Sequence, residues 1–512
     1  MIPVMKLSPV IKKCIYPAGL ALLALLVFAY IFDPKIDSNG DNCHYYIFAS
    51  SLAAGNGYTD MLGNPSALFP PGYPLLMLPL RLVTDSIVAQ KVLNLLFLFA
   101  SVLLLFSILL AEGLKPTLAF IAGAAVLVTP HLLEFSTMMM SEASCIFFIT
   151  LSLWAFLHLP AGNRVEWRSP WLLLFLFATI YTFYIRTQAI AFVAAFVVAL
   201  LLSQRWRLGL ALSGTFVAAL LPWVLRNAFW GLEQSRYVNQ VDFSQVLKIV
   251  HMLLAQVIPD SIIPFFRVRY DYMPSPLLYV IAFAMLLLII YGFCCLKRVR
   301  LPLILLFVGN VALVSIMDSP SYYRYMIIVM PFLTAALLVG LWSVCDALCR
   351  KVSKKAFSPW FLLMLFAPTL FFYNDDSNHT VWGLHRFAVA DNPVAVNAFL
   401  AIGEAAAQKG SGCIVASRKP ELLFVSKGVR GVRYKEGVTN VQIVSDLLAD
   451  NVDYIILENF GFRYTHEVLY PCLKEHPLFF EALSYTSAPV NVLFRFNKER
   501  ARQWLSELEC EK

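Results

Sequence analysis

Long apolar runs recur along this 512-residue chain, and they restrict its fold more than any other feature. Most are about as long as a helix must be to cross the roughly 30 Å hydrocarbon core of a bilayer. About eleven spans are predicted, at 15–32, 87–110, 117–130, 142–160, 169–186, 188–203, 208–225, 276–296, 301–317, 325–346 and 359–373. Only 14% of the residues are charged, too few to cover a soluble globule of this size. The sequence therefore predicts a polytopic α-helical membrane protein.

Lysine and arginine lie in the connections between alternate spans. These residues are Lys115; Arg164 and Arg168; Arg205 and Arg207; Lys297, Arg298 and Arg300; and Arg350, Lys351, Lys354 and Lys355. The positive-inside rule assigns these connections and the N-terminus to the cytoplasm, and an odd number of spans then places the C-terminus outside. The net charge of +8 thus reflects membrane topology, and nucleic-acid binding is not expected.

The beginning of the chain is predicted to be a retained transmembrane helix. Lys12 and Lys13 precede its apolar run, as in a signal peptide, but the run is long enough to span and no small-residue cleavage site follows. The ten cysteines form no CxxC pair and no Cys/His pattern with metal-ligand spacing. We interpret them as small buried apolar residues.

Two domains are predicted. A membrane domain covers residues 1–375 and includes external loops at 33–86 and 226–276. In residues 376–512, short apolar runs alternate with helical stretches, which indicates a small soluble α/β domain. We expect this domain to lie outside the cytoplasm and to help select an acceptor.

The first external loop is the richest in polar residues. It contains Gly-Asp41-x-x-x-Tyr45, then Gly-x-Gly-Tyr and Pro-Pro-Gly-Tyr73-Pro. Apolar residues after Asp41 recur at helical spacing, so Asp41 lies near a helix N-terminus, where its charge is favourable. One interpretation is that Asp41 only caps this helix. The other is that it takes part in chemistry.

The ordered set of motifs resembles GT-C glycosyltransferases. It is most similar to glycosyltransferase family 39, which groups protein O-mannosyltransferases with lipid A aminoarabinose transferases. Further matching pieces are Pro130…Ser136…Ser141-Glu142, Arg186, Leu221-Pro-Trp…Arg226-Asn227 and Tyr323-Arg324-Tyr325. The resemblance covers roughly residues 10–375. Asn42 follows Asp41 where the mannosyltransferase branch has a second acid, which places a paired-acid mechanism in doubt.

The resemblance implies roles for eight residues. Asp41 and Glu142 are the candidate catalytic acids, and Asp41 matches by position the family's acidic residue, which acts as base or organises the acceptor. The candidate substrate-binding residues are Tyr45, Tyr73, Arg186, Arg226, Tyr323 and Arg324. The three arginines suit a lipid phosphate. Each residue also has a simpler explanation: arginine snorkelling to head groups, a glutamate complementing a helix dipole, or tyrosines of an interfacial belt.

The favoured function is transfer of a sugar, with inversion, from a polyprenyl-phosphate donor to a lipid, protein or polysaccharide acceptor. The resemblance implies no metal and no cofactor, and it places the enzyme in the inner (cytoplasmic) membrane with its C-terminal domain in the periplasm. Alternatives are a lipid-linked glycan transporter or flippase, a glycan ligase, and a sensor whose tail is the active module. Transporters typically carry paired helix interruptions with charges in mid-membrane. Here the acidic residues gather at the external surface instead.

Overall fold

Helices account for most of the computed structural model, which describes residues 9–38, 40–232, 241–263, 276–317, 322–365, 380–410, 412–435, 438–461 and 465–510. Up to Ser353 the helices are α1 (Pro9–Ile31), α2 (Gly40–Ala53), α3 (Gly72–Arg81), α4 (Ile87–Ala111), α5 (Pro116–Leu127), α6 (Pro130–Ser136), α7 (Glu142–Leu157), α8 (Pro170–Ile185), α9 (Ile190–Leu202), α10 (Trp206–Phe229), α11 (Val246–Met252), α12 (Ile258–Ile262), α13 (Pro276–Cys295), α14 (Arg300–Ser315), α15 (Tyr322–Met326) and α16 (Met330–Ser353). Short 3₁₀ or π segments lie at Thr187–Ala189, Leu253–Val257, Ile327–Val329 and Pro359–Leu365.

Several of these helices can cross a membrane by length and composition. Four helices meet both criteria on their own: Cys14–Ile31, Ile87–Ala111, Trp206–Phe229 and Tyr322–Ser353. Helices α5 and α6 pass the same test together, although the chain bends by 61° between them. Shorter apolar helices are Glu142–Leu157, Pro170–Ile185, Thr187–Leu202, Tyr279–Cys295 and Arg300–Ser315. The chain is a multi-pass membrane protein, and the total of about eleven spans stays a prediction. The last predicted span, 359–373, and the external loop 226–276 both extend beyond the described residues.

Close helix packing in this part of the chain depends on small residues. A Cβ at Gly292 of α13 would lie 1.8 Å from the carbonyl oxygen of Ala336 in α16. A Cβ at Gly340 would lie 2.1 Å from the carbonyl oxygen of Leu288. The backbones of α13 and α16 therefore lie in direct contact. Transmembrane helices associate through such close van der Waals packing, because the surrounding lipid is as apolar as the helices themselves.

The described residues group into two compact units. The first comprises Met1–Pro34, Ala67–Leu76 and Ser86–Val389, and it holds the apolar helices. The second comprises Lys35–Ser66, Met77–Asp85 and Ala390–Lys512. Residues of the first external loop thus pack with the C-terminal tail. The predicted domain boundary after residue 375 assigns each residue to a domain by its position along the chain, and it stays a prediction.

The second unit contains a five-stranded sheet. Its strands are β1 (Ile414–Ala416), β2 (Arg430–Val432), β3 (Tyr454–Leu457), β4 (Phe480–Tyr485) and β5 (Val492–Phe496), in the order β2-β1-β3-β5-β4. Strands β2, β1 and β3 are parallel, whereas β5 pairs antiparallel with β3 and β4. The remaining helices of the chain are α17 (Val381–Val389), which belongs to the first unit, and α18 (Val394–Ala407), α19 (Pro420–Lys427), α20 (Asn440–Ala449), α21 (Tyr470–Glu475) and α22 (Lys498–Cys510). The expected small C-terminal sheet is therefore present.

Helix α2 packs into the apolar core of this second unit. Cys43, on α2, is fully buried in a cluster with Phe399 of α18, Leu422 and Leu423 of α19, and Ile456 of β3. Burial raises the pKa of the Cys43 thiol, and the nearby carboxylate of Glu421 raises it further. Cys43 is thus an inert apolar core residue, as predicted, and Cys145 and Cys472 are buried as well. The prediction is wrong for Cys14, Cys294 and Cys510, which are exposed.

Candidate functional site

Glu142 is the centre of a buried charged cluster in the first unit. It begins α7, directly after Ser141, and its side chain is fully buried. Its Oε1 lies 2.7 Å from an Nη1 nitrogen of Arg186 and 2.6 Å from Nε of Arg324. Two arginines that lie far apart in the chain, Arg186 and Arg324, therefore bind the same carboxylate oxygen. We call Glu142, Arg186 and Arg324 the arginine cluster.

Arg186 takes its position from a break between helices. The backbone leaves helical geometry at this residue, with φ −146° and ψ 125°, between α8 and the 3₁₀ turn Thr187–Ala189. Its amide still donates to the carbonyl of Thr182, which closes α8. The guanidinium turns to Glu142 and also donates to Oγ of Ser141 at 3.1 Å. The backbone of Arg186 is thus held by Thr182, and its guanidinium is held by Glu142 and Ser141.

Arg324 lies on the short helix α15 and is held by its two neighbours. The Tyr323 hydroxyl donates to Oδ2 of the buried Asp260 at 2.9 Å, and the Tyr323 ring stacks on His131. The carbonyl of Tyr325 accepts from Nε2 of Gln188 at 2.6 Å. These anchors hold the backbone on both sides of Arg324, whose guanidinium contacts Glu142 and also lies 3.9 Å from Sδ of Met140.

The side-chain amide of Asn310 also binds the carbonyl of Tyr325. Asn310 Nδ2 lies 3.3 Å from the carbonyl oxygen of Tyr325, and Asn310 Oδ1 accepts from Gln188 at 2.7 Å. Gln188 follows Arg186 by two residues, so one network connects the backbones of both arginines. The sequence prediction missed Gln188 and Asn310, although amides within apolar runs are the signal that marks such residues.

In the arginine cluster two guanidinium groups face one carboxylate. The side chains of Arg186 and Arg324 are 8% and 18% exposed, whereas that of Glu142 is not exposed at all. Electrostatic attraction is stronger where water is excluded than at an open surface. The cluster therefore favours an anion, and Arg324 is its most accessible member.

Tyr73 connects the first external loop to the segment before Glu142. Its fully buried hydroxyl lies 2.8 Å from Nδ2 of Asn94, on α4. The same amide nitrogen donates to the carbonyl of Met140 at 2.9 Å and also to that of Met138. Asn94 thus orients the chain that enters α7. It was missed at the sequence level, and it too is a polar residue in a predicted span.

Gly72, next to Tyr73, explains the Pro-Pro-Gly-Tyr-Pro motif. A Cβ at this position would lie 2.5 Å from the carbonyl carbon and oxygen of Tyr184, at the end of α8. The Gly72 carbonyl accepts from the Tyr181 hydroxyl at 2.9 Å. Only glycine lets α3 begin this close to the α8 segment that leads to Arg186.

Gly72→Ala should therefore destabilise the protein by about 1–3 kcal/mol, because neither backbone can yield easily. Thermal unfolding of the full-length protein in detergent measures this effect. Gly214→Ala is the matched control, since Gly214 lies within α10 and a Cβ there meets nothing within 4 Å. Equal melting temperatures for the two variants would contradict the close approach at Gly72.

Arg226 has a different environment from the other two arginines. Its Nη1 donates to Oδ1 of Asn227 at 2.7 Å, and its guanidinium lies 5.1 Å from the ring centre of Trp223. These contacts are with its own helix, α10. The structure brings Arg186 and Arg324 together on Glu142, whereas the contacts described for Arg226 are local.

Asp41 and Tyr45 belong to the second unit. Helix α2 begins at Gly40, so Asp41 is its second residue and does not occupy the capping position that precedes a helix. Its charge still complements the helix dipole. Asp41 is half-buried, and Tyr45, one turn later, is buried. Asn42 is fully buried, with no hydrogen-bond partner for its amide among the described residues.

A second ion cluster joins α2 to the tail. Nε2 of His44 lies 3.2 Å from Oε1 of Glu421, and an Nη2 nitrogen of Arg433 lies 2.7 Å from the same oxygen. Burial alone would raise the pKa of Glu421, but the hydrogen bond and charge of His44 and the charge of Arg433 hold that pKa below its usual value. Nothing in the sequence pattern indicated this contact between distant segments.

Within the described ranges, no three histidine, cysteine, aspartate or glutamate side chains lie close enough together to hold a metal ion.

Comparison with solved structures reveals likeness over nearly the whole chain. ArnT from Cupriavidus metallidurans bound to undecaprenyl phosphate matches with a TM-score of 0.60 and 14% identity, covering 93% of this chain and 97% of that one. The apo state of the same protein matches with a TM-score of 0.61 and 13% identity, over 95% and 98%. The oligosaccharyltransferase AglB from Archaeoglobus fulgidus, in complex with an inhibitory peptide and a dolichol-phosphate, matches with a TM-score of 0.53 and 12% identity, over 95% and 74%.

No protein-family model matches the sequence, and no curated protein matches it. At these identities the structural likeness concerns the fold. Both ArnT and AglB are GT-C proteins. The resemblance expected from the loop motifs is therefore confirmed: the chain has the GT-C fold, with apolar membrane helices and a small C-terminal sheet.

Proposed function

We propose that this chain is a glycosyltransferase that moves a sugar, with inversion, from a polyprenyl-phosphate donor to an acceptor at the outer face of the cytoplasmic membrane. The arginine cluster is the observation that carries the proposal. It is a cationic site, largely closed to water, in a fold whose solved examples include one bound to undecaprenyl phosphate. A lipid phosphate is the anion that fits a site of this charge in a membrane protein.

The arginines act on the leaving group. When the acceptor oxygen attacks the anomeric carbon, the bond from that carbon to the phosphate oxygen breaks, and its electron pair stays with the phosphate. The phosphate thus changes from a singly charged diester to a more highly charged monoester. Arg324 and Arg186, already oriented, stabilise the charge that develops. Arg226 is proposed as a further contact to the lipid phosphate.

Asp41 is proposed as the base. It accepts the proton of the acceptor hydroxyl as the new bond to the anomeric carbon forms, a step to which a positioned carboxylate contributes roughly 10²–10⁴-fold. Tyr45, Tyr73 and Tyr323 are proposed as substrate-binding residues. No metal or cofactor is part of this mechanism.

Glu142 is better suited to hold the arginines than to exchange protons. A base must reach the substrate, but Glu142 is fully buried and its Oε1 is shared by two guanidinium groups. Removing one partner from a buried ion cluster leaves a costly unpaired charge. We therefore assign Glu142 to the positioning of Arg186 and Arg324.

The proposed topology places the N-terminus in the cytoplasm and the tail outside, with about eleven spans. A reporter enzyme that is active only outside the cytoplasm should be active when fused after Lys512. An inactive fusion that is nevertheless expressed at normal level would reverse the orientation and remove the external donor site. The same reporter fused after Arg205 is expected to be inactive and serves as the control.

The function itself is tested in two stages. Mass spectrometry of envelope glycolipids and glycoproteins, with and without the protein, should reveal one sugar modification that depends on it. Purified full-length protein is then given undecaprenyl-phosphate-linked glucose, mannose or aminoarabinose with the acceptor so identified. Release of undecaprenyl phosphate with one of these donors is expected. Unchanged envelope glycans and no release from any donor would reject the proposal.

A further inference from the structure

The tail of the protein holds one face of helix α2. Gly40, Cys43 and His44 share that face, since they lie at the i, i+3 and i+4 spacing of a helix. Cys43 is buried against α19, and His44 binds Glu421. A Cβ at Gly40 would come within 3.6 Å of the Arg433 guanidinium. An apolar contact of Cys43 and a polar contact of His44 therefore hold this face of α2, and Arg433 lies beside it at Gly40.

The groups that hold α2 lie at one edge of the sheet. Arg433 directly follows β2, and Glu421 is the second residue of α19, the helix that follows β1. Strands β1 and β2 are parallel, so their carboxyl ends meet at the same edge. Open α/β sheets usually bind their ligands at this edge. Here the edge residues bind a helix of the same chain instead.

Asp41 lies beside the face that is held. It is one residue after Gly40 and one turn before Tyr45, so Asp41 and Tyr45 share the adjacent face of α2. Any rotation or shift of α2 would carry the Asp41 carboxylate with it. Misplacing a reacting group by about 1 Å can lower a rate by roughly 10²-fold.

We propose that Glu421 is a positioning residue for catalysis: through His44, and supported by Arg433, it sets the direction of Asp41. This inference rests on the proposed role of Asp41 as the base. Glu421 is suited to the task because it is buried, its pKa is held below the usual value, and it binds both His44 and Arg433. The tail is thus part of the catalytic apparatus rather than only an acceptor-binding module.

Glu421→Gln should lower kcat by on the order of 10-fold with less than a twofold change in the KM for the donor, since α2 loses its charged anchor but the donor site is untouched. The assay uses full-length protein and the undecaprenyl-phosphate sugar that gives turnover. Glu404→Gln is the matched control, because Glu404 pairs with Lys427 in the same unit without contacting α2. It should retain wild-type kcat.

A double-mutant cycle separates positioning from general stability. If Glu421 acts through Asp41, then Glu421→Gln should add almost nothing in the Asp41→Asn background. The inference would be overturned if the two substitutions lowered kcat multiplicatively, or if Glu421→Gln left kcat unchanged. Should Glu421→Gln not accumulate in membranes, His44→Gln is measured by the same criteria. Wild-type turnover in Asp41→Asn would instead reject the proposed base, whatever Glu421→Gln does.

Discussion

Asp41→Asn is expected to lower kcat by roughly 10²-fold or more while leaving donor binding and thermal stability near their wild-type values. An amide has the shape of the carboxylate but cannot accept the acceptor's proton. The charge is also lost from the first turn of α2, which costs about 0.3–1 kcal/mol at exposed sites and up to about 2 kcal/mol at partly buried ones. Turnover with the undecaprenyl-phosphate donor and the melting temperature of the full-length protein are the two measurements.

The purely structural interpretation of Asp41 predicts the opposite pattern. If the carboxylate only complemented the helix dipole, the Asn variant would lose a little stability and keep its turnover. Asp37→Asn is a useful control, because Asp37 precedes α2 in the same unit and has no proposed part in the chemistry. A stable Asp41→Asn protein with full activity would remove Asp41 from the mechanism.

Arg324→Ala should have the second large effect. It removes the most accessible guanidinium of the arginine cluster and leaves Glu142 with one partner. We expect turnover to fall by roughly 10²-fold, as when one preorganised donor to a developing charge is lost. Arg324→Lys should recover only part of this activity, because an ammonium cannot reproduce the planar fork of a guanidinium.

Binding of undecaprenyl phosphate provides a readout independent of turnover. Affinity should fall on the order of 10-fold in Arg324→Ala and less in Arg324→Lys. Arg350→Ala is the matched control, since Arg350 is exposed and pairs within its own helix with Asp346. If Arg324→Ala kept both its affinity and its turnover, Arg324 would be a lipid-facing anchor, the simpler explanation for an arginine at a helix end.

The sequence was sufficient to predict the membrane class, the GT-C fold and the small terminal sheet. Apolar runs and loop motifs are local properties, and each can be read from a single segment. Strands β1, β3 and β5 coincide with the short apolar runs 413–416, 452–457 and 490–496 of the sequence. Strands β2 and β4 do not coincide with such runs, because both lie at the edges of the sheet, where exposure replaces an apolar pattern with a mixed one.

The contacts between polar residues of distant segments were harder to predict from the sequence. Arg186, Arg226 and Arg324 look alike in sequence, each at the end of a predicted span, yet the structure joins only the first and last on Glu142. The amides of Asn94, Gln188 and Asn310 were passed over because each sits alone within an apolar run. The ion cluster of His44, Glu421 and Arg433 joins segments with no local relation, so no periodicity could indicate it.

The seating of α2 on the tail has a consequence for how the protein is made. Ribosomes synthesise α2 near the start of the chain and the segments that bury Cys43 only near its end, so Cys43 has none of these apolar partners until the last part of the chain has been made. Contacts between residues so far apart in sequence form late in folding. A chain that stops after α16 keeps most helices of the first unit but lacks the sheet and the helices that hold α2. Premature termination should therefore leave α2 without a fixed direction, even where the apolar helices have inserted into the membrane.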